Sequence, residues 1–418
     1  MTRVLVIGAG AAGSMAAVFA ATAGAETVLI ERTRDGGRKI LISGGGRCNV
    51  LPARVDESRF VTDSSPNVLR KMLRAWPLAE QRSFFEQTLG IPLVEEVESA
   101  KLFPASHKAR DVRDGLLQYA TSKGVQLRMQ SRVTGISPER SGWGVTLEDG
   151  EGIQGDAVVL ATGGLSVPNT GSDGAGLGFL AALGHEIHPT YAALTPLTAD
   201  APAFAALSGV SLPVTLTARS AAHASRAQGG FLFTHHGYSG PSVLDVSHVA
   251  VRGHLGQAPR ARIEVQWTAL GDAEWEKALA PHGARTVTGA LRNALPDRLA
   301  AVLLDQAQVD ATRVLAELRR DERRRLVDVL VRGELPCTGD EGYRKAEVTG
   351  GGVALGEVHA ATLESRRHPG LFLCGEVLDA FGPIGGYNFL WAWATGRAAG
   401  IAAAAHRARA AAITANPA

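Results

Sequence analysis

The chain has 418 residues, 45% hydrophobic and 20% charged, so it can bury a large core divided among roughly two or three domains. Its 43 Lys and Arg residues nearly balance 41 Asp and Glu residues, and a formal charge of +2 provides no global field that favours nucleic acid or a membrane surface. The three cysteines, Cys48, Cys337 and Cys374, form no CxxC pair, which indicates a reducing compartment and argues against zinc. No apolar run is typical of a membrane span. We therefore expect a cytoplasmic globular protein without a metal ion.

The first 31 residues have the pattern of a strand, a glycine-rich turn, a helix and a second strand. Residues 3–7 and 27–31 are apolar runs with β-branched residues, and residues 14–23 are rich in helix formers. The turn between them reads Gly-Ala-Gly-Ala-Ala-Gly, at residues 8–13. The pattern predicts a βαβ unit with a right-handed crossover.

In this context the GxGxxG spacing predicts a dinucleotide site. Gly8 permits the tight turn, Gly10 lets backbone N–H groups reach a pyrophosphate, and Gly13, which follows Ala12, lets helix and strand pack closely. Glu31 ends the second strand, 18 residues after Gly13, where its carboxylate would accept hydrogen bonds from the adenosine ribose. Because a negative charge there disfavours a 2′-phosphate, the loop should hold FAD or NAD rather than NADP.

Three distant segments favour FAD, since a flavin dinucleotide is long and needs contacts along its length. Residues 37–49 offer exposed backbone donors and two cations, Lys39 and Arg47, to oppose the diphosphate. Small residues at 161–164 let the backbone close over the dinucleotide. Within 375–388, an acidic residue is placed to bind the ribityl chain, and a helix start would stabilise negative charge on a reduced flavin. The cofactor contacts expected outside the first βαβ unit are Lys39, Ser43, Gly46, Arg47, Cys48, Asn49, Val133, Ala161, Thr162, Gly163, Gly375, Glu376, Gly386 and Asn388.

The residue pattern of the chain changes near residue 191, and the glycine-rich pattern of the first part returns after residue 336. Residues 210–217 and 262–267 alternate like half-exposed antiparallel strands, whereas residues 272–332 have a helical pattern. The predicted division is a FAD-binding domain in two parts (1–190 and 341–404), an inserted β-barrel (191–270) with a helical part (271–340), and a tail (405–418) into which a final helix frays from residue 402.

Five stretches carry a resemblance to a known family: residues 37–49, 101–112, 232–247, 346–358 and 370–396. Over nearly the whole chain the sequence resembles the bacterial FAD-dependent oxidoreductases that include BaiN-like proteins, aminoacetone oxidase and a ribosomal RNA dihydrouridine synthase. The resemblance implies an α/β fold, with a discontinuous glutathione-reductase-type, Rossmann-like FAD domain and an inserted β-barrel plus helical domain. The chain departs from the family pattern at residues 50–52 and at Leu363. These departures leave the FAD prediction unchanged but weaken the resemblance at the edge of the pocket.

Two absences in the sequence restrict the chemistry. Cys48 has no cysteine partner within fifty residues, which excludes a dithiol relay beside the flavin. No second glycine fingerprint follows a strand, because Gly174, Gly176 and Gly178 have the pattern of a helix start. NAD(P)H would therefore visit the flavin transiently, or electrons would come from the substrate.

The candidate acids and bases lie in residues 234–241 of the insert. His235, His236 or Tyr238 would protonate a substrate carbon or carbonyl while flavin N5 delivers a hydride. The alternative is that these side chains only support a strand-to-helix turn. Cys48, next to Arg47, also has two interpretations: a thiol with a lowered pKa, or a side chain that only packs closely.

A basic stretch between residues 101 and 113 is open to two interpretations. Lys101, His107, Lys108, Arg110 and Arg113 fit a solvated helix start better than an RNA track.

The expected function is hydride transfer between non-covalently bound FAD and an organic substrate. The resemblance implies three activities: NAD(P)H-dependent reduction of a carbon–carbon double bond, reduction of a uridine ring in ribosomal RNA, and oxygen-dependent oxidation of a small amine such as aminoacetone. We place NAD(P)H-dependent reduction first, with a small-molecule or RNA substrate and no stable protein partner. A flavin redox sensor without turnover is the alternative of a different class.

Overall fold

The computed structural model describes residues 1–254 and 261–407, which form two compact units. The first unit comprises Met1–Thr190 with Val348–Ala418, and the second unit comprises Tyr191–Glu347. From the sequence, the first part of the FAD-binding domain is predicted to end at residue 190 and its second part to begin at residue 341. Most of the predicted tail lies outside the described residues, and the last long helix ends at Ala404 instead of starting at residue 402.

The elements are numbered in chain order. The strands are β1 Arg3–Ile7, β2 Glu26–Ile30, β3 Leu51–Pro52, β4 Leu93–Glu96, β5 Lys101–Pro104, β6 Gln126–Arg128, β7 Val133–Glu139, β8 Gly142–Leu147, β9 Gly152–Gly155, β10 Ala157–Leu160, β11 Ile187–Ala193, β12 Leu197–Thr198, β13 Ser211–Arg219, β14 Ala224–Phe233, β15 Gly237–Ser239, β16 Arg262–Gln266, β17 Gly333–Glu334, β18 Gly339–Asp340, β19 Val348–Val353 and β20 Leu371–Leu373. The helices are α1 Ala11–Thr22, α2 Arg38–Ile42, α3 Pro66–Arg74, α4 Leu78–Ser83, α5 Ala109–Ser122, α6 Ala175–Ala182, α7 Pro202–Ala205, α8 Pro241–His254, α9 Asp272–Ala278, α10 Val287–Leu291, α11 Asp297–Gln306, α12 Arg320–Arg332 and α13 Tyr387–Ala404.

A five-stranded parallel sheet, in the order β20-β10-β1-β2-β6, forms the centre of the first unit. Its inner strands read as unbroken apolar runs because both faces of a parallel sheet are covered. Val4, Leu5 and Val6 of β1 are fully buried. Two three-stranded antiparallel sheets, β3-β5-β4 and β7-β8-β9, also belong to this unit. The predicted strand, glycine turn, helix and strand over residues 3–31 are confirmed.

Helix α13 joins the C-terminal part of the chain to the first unit by packing on α1. A Cβ atom at Gly396 would lie 2.3 Å from the carbonyl oxygen of Ala12, and one at Gly400 would lie 2.2 Å from that of Ala16. Both separations are shorter than any real contact of a Cβ atom, so the two helix backbones approach as closely as glycine allows. This approach explains why the unit needs residues from both ends of the chain.

The second unit contains a seven-stranded sheet in the order β17-β16-β13-β14-β15-β12-β18, with antiparallel pairing. Strand β13 alternates buried and exposed residues, as expected for a sheet with one face on a core. The antiparallel strands predicted near residues 210–217 and 262–267 are confirmed, and the region predicted as helical holds α9 to α12. Aromatic rings fill this core, with Phe231, Phe233 and Trp267 almost fully buried.

Within the described ranges, no helix is both long and apolar enough to cross a bilayer.

The close contact between α1 and α13 predicts that a side chain added at Gly396 destabilises the protein. Gly396→Val should lower the free energy of unfolding by about 3 kcal/mol or more, because the new side chain overlaps the α1 backbone. As a control, Gly178→Ala in α6 meets no atom within 4 Å and should raise it by roughly 0.5–1 kcal/mol. Urea unfolding of both variants tests this, and equal stabilities would contradict the packing account.

Candidate cofactor-binding site

The glycine loop forms a tight turn at the carboxyl end of β1. Gly8 has φ +100°, and a Cβ atom there would lie 2.6 Å from the carbonyl oxygen of Ala161, which follows β10. A Cβ atom at Gly13 would lie 1.8 Å from the carbonyl oxygen of Gly8. These two glycines are therefore required by backbone contact alone, whatever the loop binds.

Gly10 is different, because no described protein atom occupies the space that a Cβ atom there would take. It caps the N-terminus of α1 with an extended backbone, no side chain caps this helix, and a Cβ atom at Gly10 would meet no atom within 4 Å. The first amide groups of α1 therefore have no side-chain cap, and the space beside Gly10 is open. A helix start of this kind fits the pyrophosphate of a dinucleotide.

Glu31 lies beside the glycine loop and is 8% exposed. Its Oε2 accepts a hydrogen bond from the Ala9 amide at 2.8 Å, and its Oε1 accepts one from the Thr33 amide at 2.7 Å. Each carboxylate oxygen keeps a second lone pair, so the predicted contact with ribose hydroxyls is chemically open to it.

Three residues from other segments form a hydrogen-bonded network around Glu376. Its Oε2 accepts from Lys39 Nζ at 2.6 Å, and its Oε1 accepts from Ser166 Oγ at 2.6 Å and from the Thr349 amide at 3.0 Å. Lys39 also donates to Ser166. Three of about four acceptor positions on Glu376 are thereby used, and one N–H of Lys39 stays available.

This network keeps Glu376 ionised. Burial alone would raise the pKa of the carboxyl, but the Lys39 ammonium and the hydrogen bonds from Lys39, Ser166 and the Thr349 amide outweigh it and lower the pKa. Sequence reasoning found Lys39 and Glu376 but missed Ser166 and Thr349. No local signal marks these two residues, because only the tertiary fold brings them to Glu376.

Gly375 positions Glu376 against the first turn of α1. Its φ is +77°, and a Cβ atom there would lie 2.7 Å from Cβ of Ala12. The Gly375 amide donates to Thr395 Oγ1 at 3.0 Å, and its carbonyl accepts from Trp391 Nε1 at 3.0 Å. The network therefore adjoins the open start of α1.

The burial of Cys48 decides between the two interpretations of this residue in favour of close packing. Burial raises the pKa of Cys48 to about 12, so its thiol is a packing group and not an activated one. Arg47 pairs with Glu96 at 2.9 Å and covers the ring of Phe103, so its guanidinium has partners other than a diphosphate. Ser43 donates to the Ile40 carbonyl. In the same segment, residues 37–49, Gly46 is exposed and Asn49 is half-buried.

The remaining predicted contacts lie at strand and helix ends of the first unit. The Ala161 amide donates to the carbonyl of Ile7, and Gly163 has φ +73°. The Thr162 hydroxyl has no hydrogen-bond partner among the described residues and lies against Gly176 of α6. Val133 is buried at the start of β7. Their contacts with a cofactor stay predictions.

Asn388 shapes the loop that precedes α13. Its side chain accepts from the Gly382 amide at 2.9 Å and donates to the Gly382 carbonyl at 3.0 Å. Gly386 caps α13 with φ +95°, without a side-chain cap, and a Cβ atom there would lie 2.4 Å from the carbonyl carbon of Leu51. Asn388 thus holds the loop with its side chain and leaves the start of α13 uncapped.

The three predicted catalytic side chains belong to the second unit. His235 and His236 are exposed in the turn between β14 and β15. Tyr238 is 1% exposed, its ring packs against Phe231, and burial raises the pKa of its hydroxyl. Its ring contributes to the core of this unit, and the catalytic role of all three side chains stays a prediction.

The sequence suggests that Arg113 lies on a solvated helix start, but the structure buries this residue. It is 7% exposed, and its guanidinium donates to the carbonyls of Asp35 at 3.1 Å and Gly36 at 3.4 Å. Arg113 therefore fixes the turn that leads into α2 and Lys39. His107, Lys108 and Arg110 are exposed, as predicted.

Comparison with known proteins assigns the family. The family described as "HI0933-like protein Rossmann domain" matches residues 2–402. The chain belongs to this family. It is 32% identical to "Ribosomal RNA dihydrouridine synthase" of Escherichia coli (strain K12) across 94% of this chain and 95% of the relative. It is 31% identical to "3-dehydro-bile acid delta(4,6)-reductase" of Clostridium scindens across 97% of this chain and 99% of the relative.

Among solved structures, the open conformation of a flavocytochrome c3 fumarate reductase is similar in fold. The TM-score is 0.50 with 18% identity, over 97% of this chain and 78% of that chain. This likeness concerns the fold alone. It supports the glutathione-reductase-type fold, and the family membership with the named relatives identifies this HI0933-like chain as an FAD-dependent oxidoreductase.

The open space at Gly10 predicts a variant that folds but loses its cofactor. Gly10→Val suits the extended backbone, and its Cβ atom meets no protein atom within 4 Å, yet we expect the side chain to occupy the approach to the α1 amides. Purified Gly10→Val should contain less than about a tenth of the wild-type flavin, with unfolding of the flavin-free protein unchanged. Gly152→Val, at a strand glycine that also meets no atom within 4 Å, is the control and should keep its flavin. Full flavin content in Gly10→Val would refute the assigned contact.

The Lys39–Glu376 pair predicts a pH effect. A carboxylate with a lowered pKa stabilises the folded site above its unfolded pKa and loses that contribution as the pH falls through the folded pKa. Lys39→Met removes the ammonium, raises the pKa of Glu376 and should therefore move flavin release to higher pH. Fluorescence of released flavin along an acid titration measures the midpoint. Lys277→Met, at an exposed lysine of α9, should match the wild type, and an unshifted midpoint in Lys39→Met would contradict the role of the pair.

Proposed function

We propose that this HI0933-like protein catalyses NAD(P)H-dependent reduction of a carbon–carbon double bond, with a uracil ring of ribosomal RNA as its substrate. The observation that supports this substrate is the name of two relatives, from Escherichia coli and Haemophilus influenzae, each called "Ribosomal RNA dihydrouridine synthase" and matched over 94% and 95% of this chain. FAD, when bound, supplies hydride transfer. In the net reaction the ring double bond gains a hydride and a proton, and NAD(P)H is oxidised to NAD(P)⁺.

The described residues support transient use of the nicotinamide. The glycine loop between β1 and α1 of the five-stranded parallel sheet is the predicted FAD contact. The second glycine run, Gly174 to Gly178, forms the start of α6. NAD(P)H would therefore bind for the reductive step and leave. Because dihydrouridine formation acts on RNA in the cell, we place the protein in the cytoplasm.

A second candidate is the reduction of a small conjugated ketone. The Clostridium scindens relative, "3-dehydro-bile acid delta(4,6)-reductase", matches the chain over a similar length and supports it. Oxidation of a small amine such as aminoacetone is the remaining alternative, and the direction of electron flow separates it from both reductions.

Two measurements test the proposal. Under anaerobic conditions NADH or NADPH should bleach the flavin absorbance, and aminoacetone should not; the reverse result would establish an oxidase. In the source cells, deletion of the gene should remove a dihydrouridine from ribosomal RNA. Wild-type protein and the Gly152→Val control should restore it, whereas Gly10→Val should not. Unchanged dihydrouridine after deletion would exclude the RNA substrate.

A further inference from the structure

A surface groove of about 690 Å³ lies on helix α3 of the first unit, outside the segments predicted to contact the cofactor. Its walls are one face of α3 and Ala361, and it is open to solvent. The residues that line it are Asn67, Arg70, Lys71, Arg74, Ala75 and Ala361.

The sequence of α3 separates this groove from the protein core. Residues 67, 70, 71 and 74 recur at the spacing that places side chains on one helix face. The opposite face carries apolar residues buried in the first unit, so the polar face is fixed toward the groove. The buried residues are Leu69, Met72 and Leu73.

The groove is cationic. Three of its lining residues are Arg or Lys, and none of the residues that line it is acidic. Arg70 donates to the side-chain oxygen of Asn67 at 2.8 Å, and Lys71 is exposed. Arg74 binds the carboxylate of Glu57 through two nitrogens but keeps 69% of its side chain exposed. With a chain charge of only +2, this positive surface is a local feature.

The groove is tied to the segment that carries Glu376. The buried carboxylate of Asp379 accepts hydrogen bonds from Thr62 Oγ1 and from the amide and hydroxyl of Ser64, at 2.8–2.9 Å. Ser64 stands two residues before α3, and its hydroxyl also accepts from the Leu355 amide at 2.9 Å. The start of α3 is thus anchored, through Ser64, to Asp379, three residues after Glu376.

We propose that this groove binds the phosphate backbone of RNA. A polar, open groove with three long cationic side chains suits phosphates, which position a nucleic acid without reading its sequence. The inference rests on the proposed function, in which RNA is the substrate. It adds the surface that would hold RNA beside the target uridine.

The test measures binding of deproteinised Escherichia coli ribosomal RNA to the flavin-loaded protein at increasing salt. Arg70→Gln with Lys71→Gln removes two charges from the groove. The control, Arg82→Gln with Arg140→Gln, removes two charges from exposed arginines of the same unit outside the groove. The groove variant should bind about tenfold more weakly in moderate salt, and its slope of log K against log salt should fall by roughly 1 for each lost phosphate contact. Flavin content should be unchanged in both variants.

The outcomes separate this inference from the proposed function. If the groove variant and the control bind RNA with equal affinity and slope, the groove is excluded even where dihydrouridine formation is normal. If the wild-type protein binds anionic phosphatidylglycerol vesicles but not ribosomal RNA, the groove proposal also fails. Loss of dihydrouridine on gene deletion still decides the proposed function independently, because that assay does not involve the groove variants.

Discussion

The structure of the cofactor site depends on how closely other backbones approach helix α1. The turn before it needs Gly13 because the Gly8 carbonyl lies in the space of a Cβ atom, and α13 needs Gly396 because the Ala12 carbonyl does. Gly375 also packs against α1, because a Cβ atom there would lie 2.7 Å from Cβ of Ala12. Close backbone contacts therefore fix the direction of the α1 start, whereas a Cβ atom at Gly10 would meet no atom within 4 Å.

The charges beside α1 follow from the same packing. Because Gly375 brings Glu376 against the first turn of the helix, the carboxylate is partly buried, and its ionised form requires partners. Lys39, Ser166 and the Thr349 amide provide them from three other segments. The site is thus assembled by the fold itself, with one N–H of Lys39 and the open helix start left for a ligand.

The sequence predicts the parts of this site that depend on local order in the chain. A strand, a glycine turn and a helix within residues 3–31 identify the loop, and Glu31 follows because the next strand ends beside it. Ser166 and Thr349 could not be found in this way, since their partner is distant in sequence. The same limit explains the error at Arg113 and the two interpretations that the sequence left open for Cys48. A cationic or thiol side chain looks reactive in sequence, whereas its burial depends on tertiary packing.

We expect the first unit to bind FAD without a covalent bond. The most direct measurement is chromatography of the cofactor released when the purified protein is denatured by heat. The account predicts intact FAD, close to one molecule per chain, in the supernatant, and a colourless protein pellet. A colourless native protein, a flavin that stays with the pellet, or release of FMN or NAD instead of FAD would contradict it.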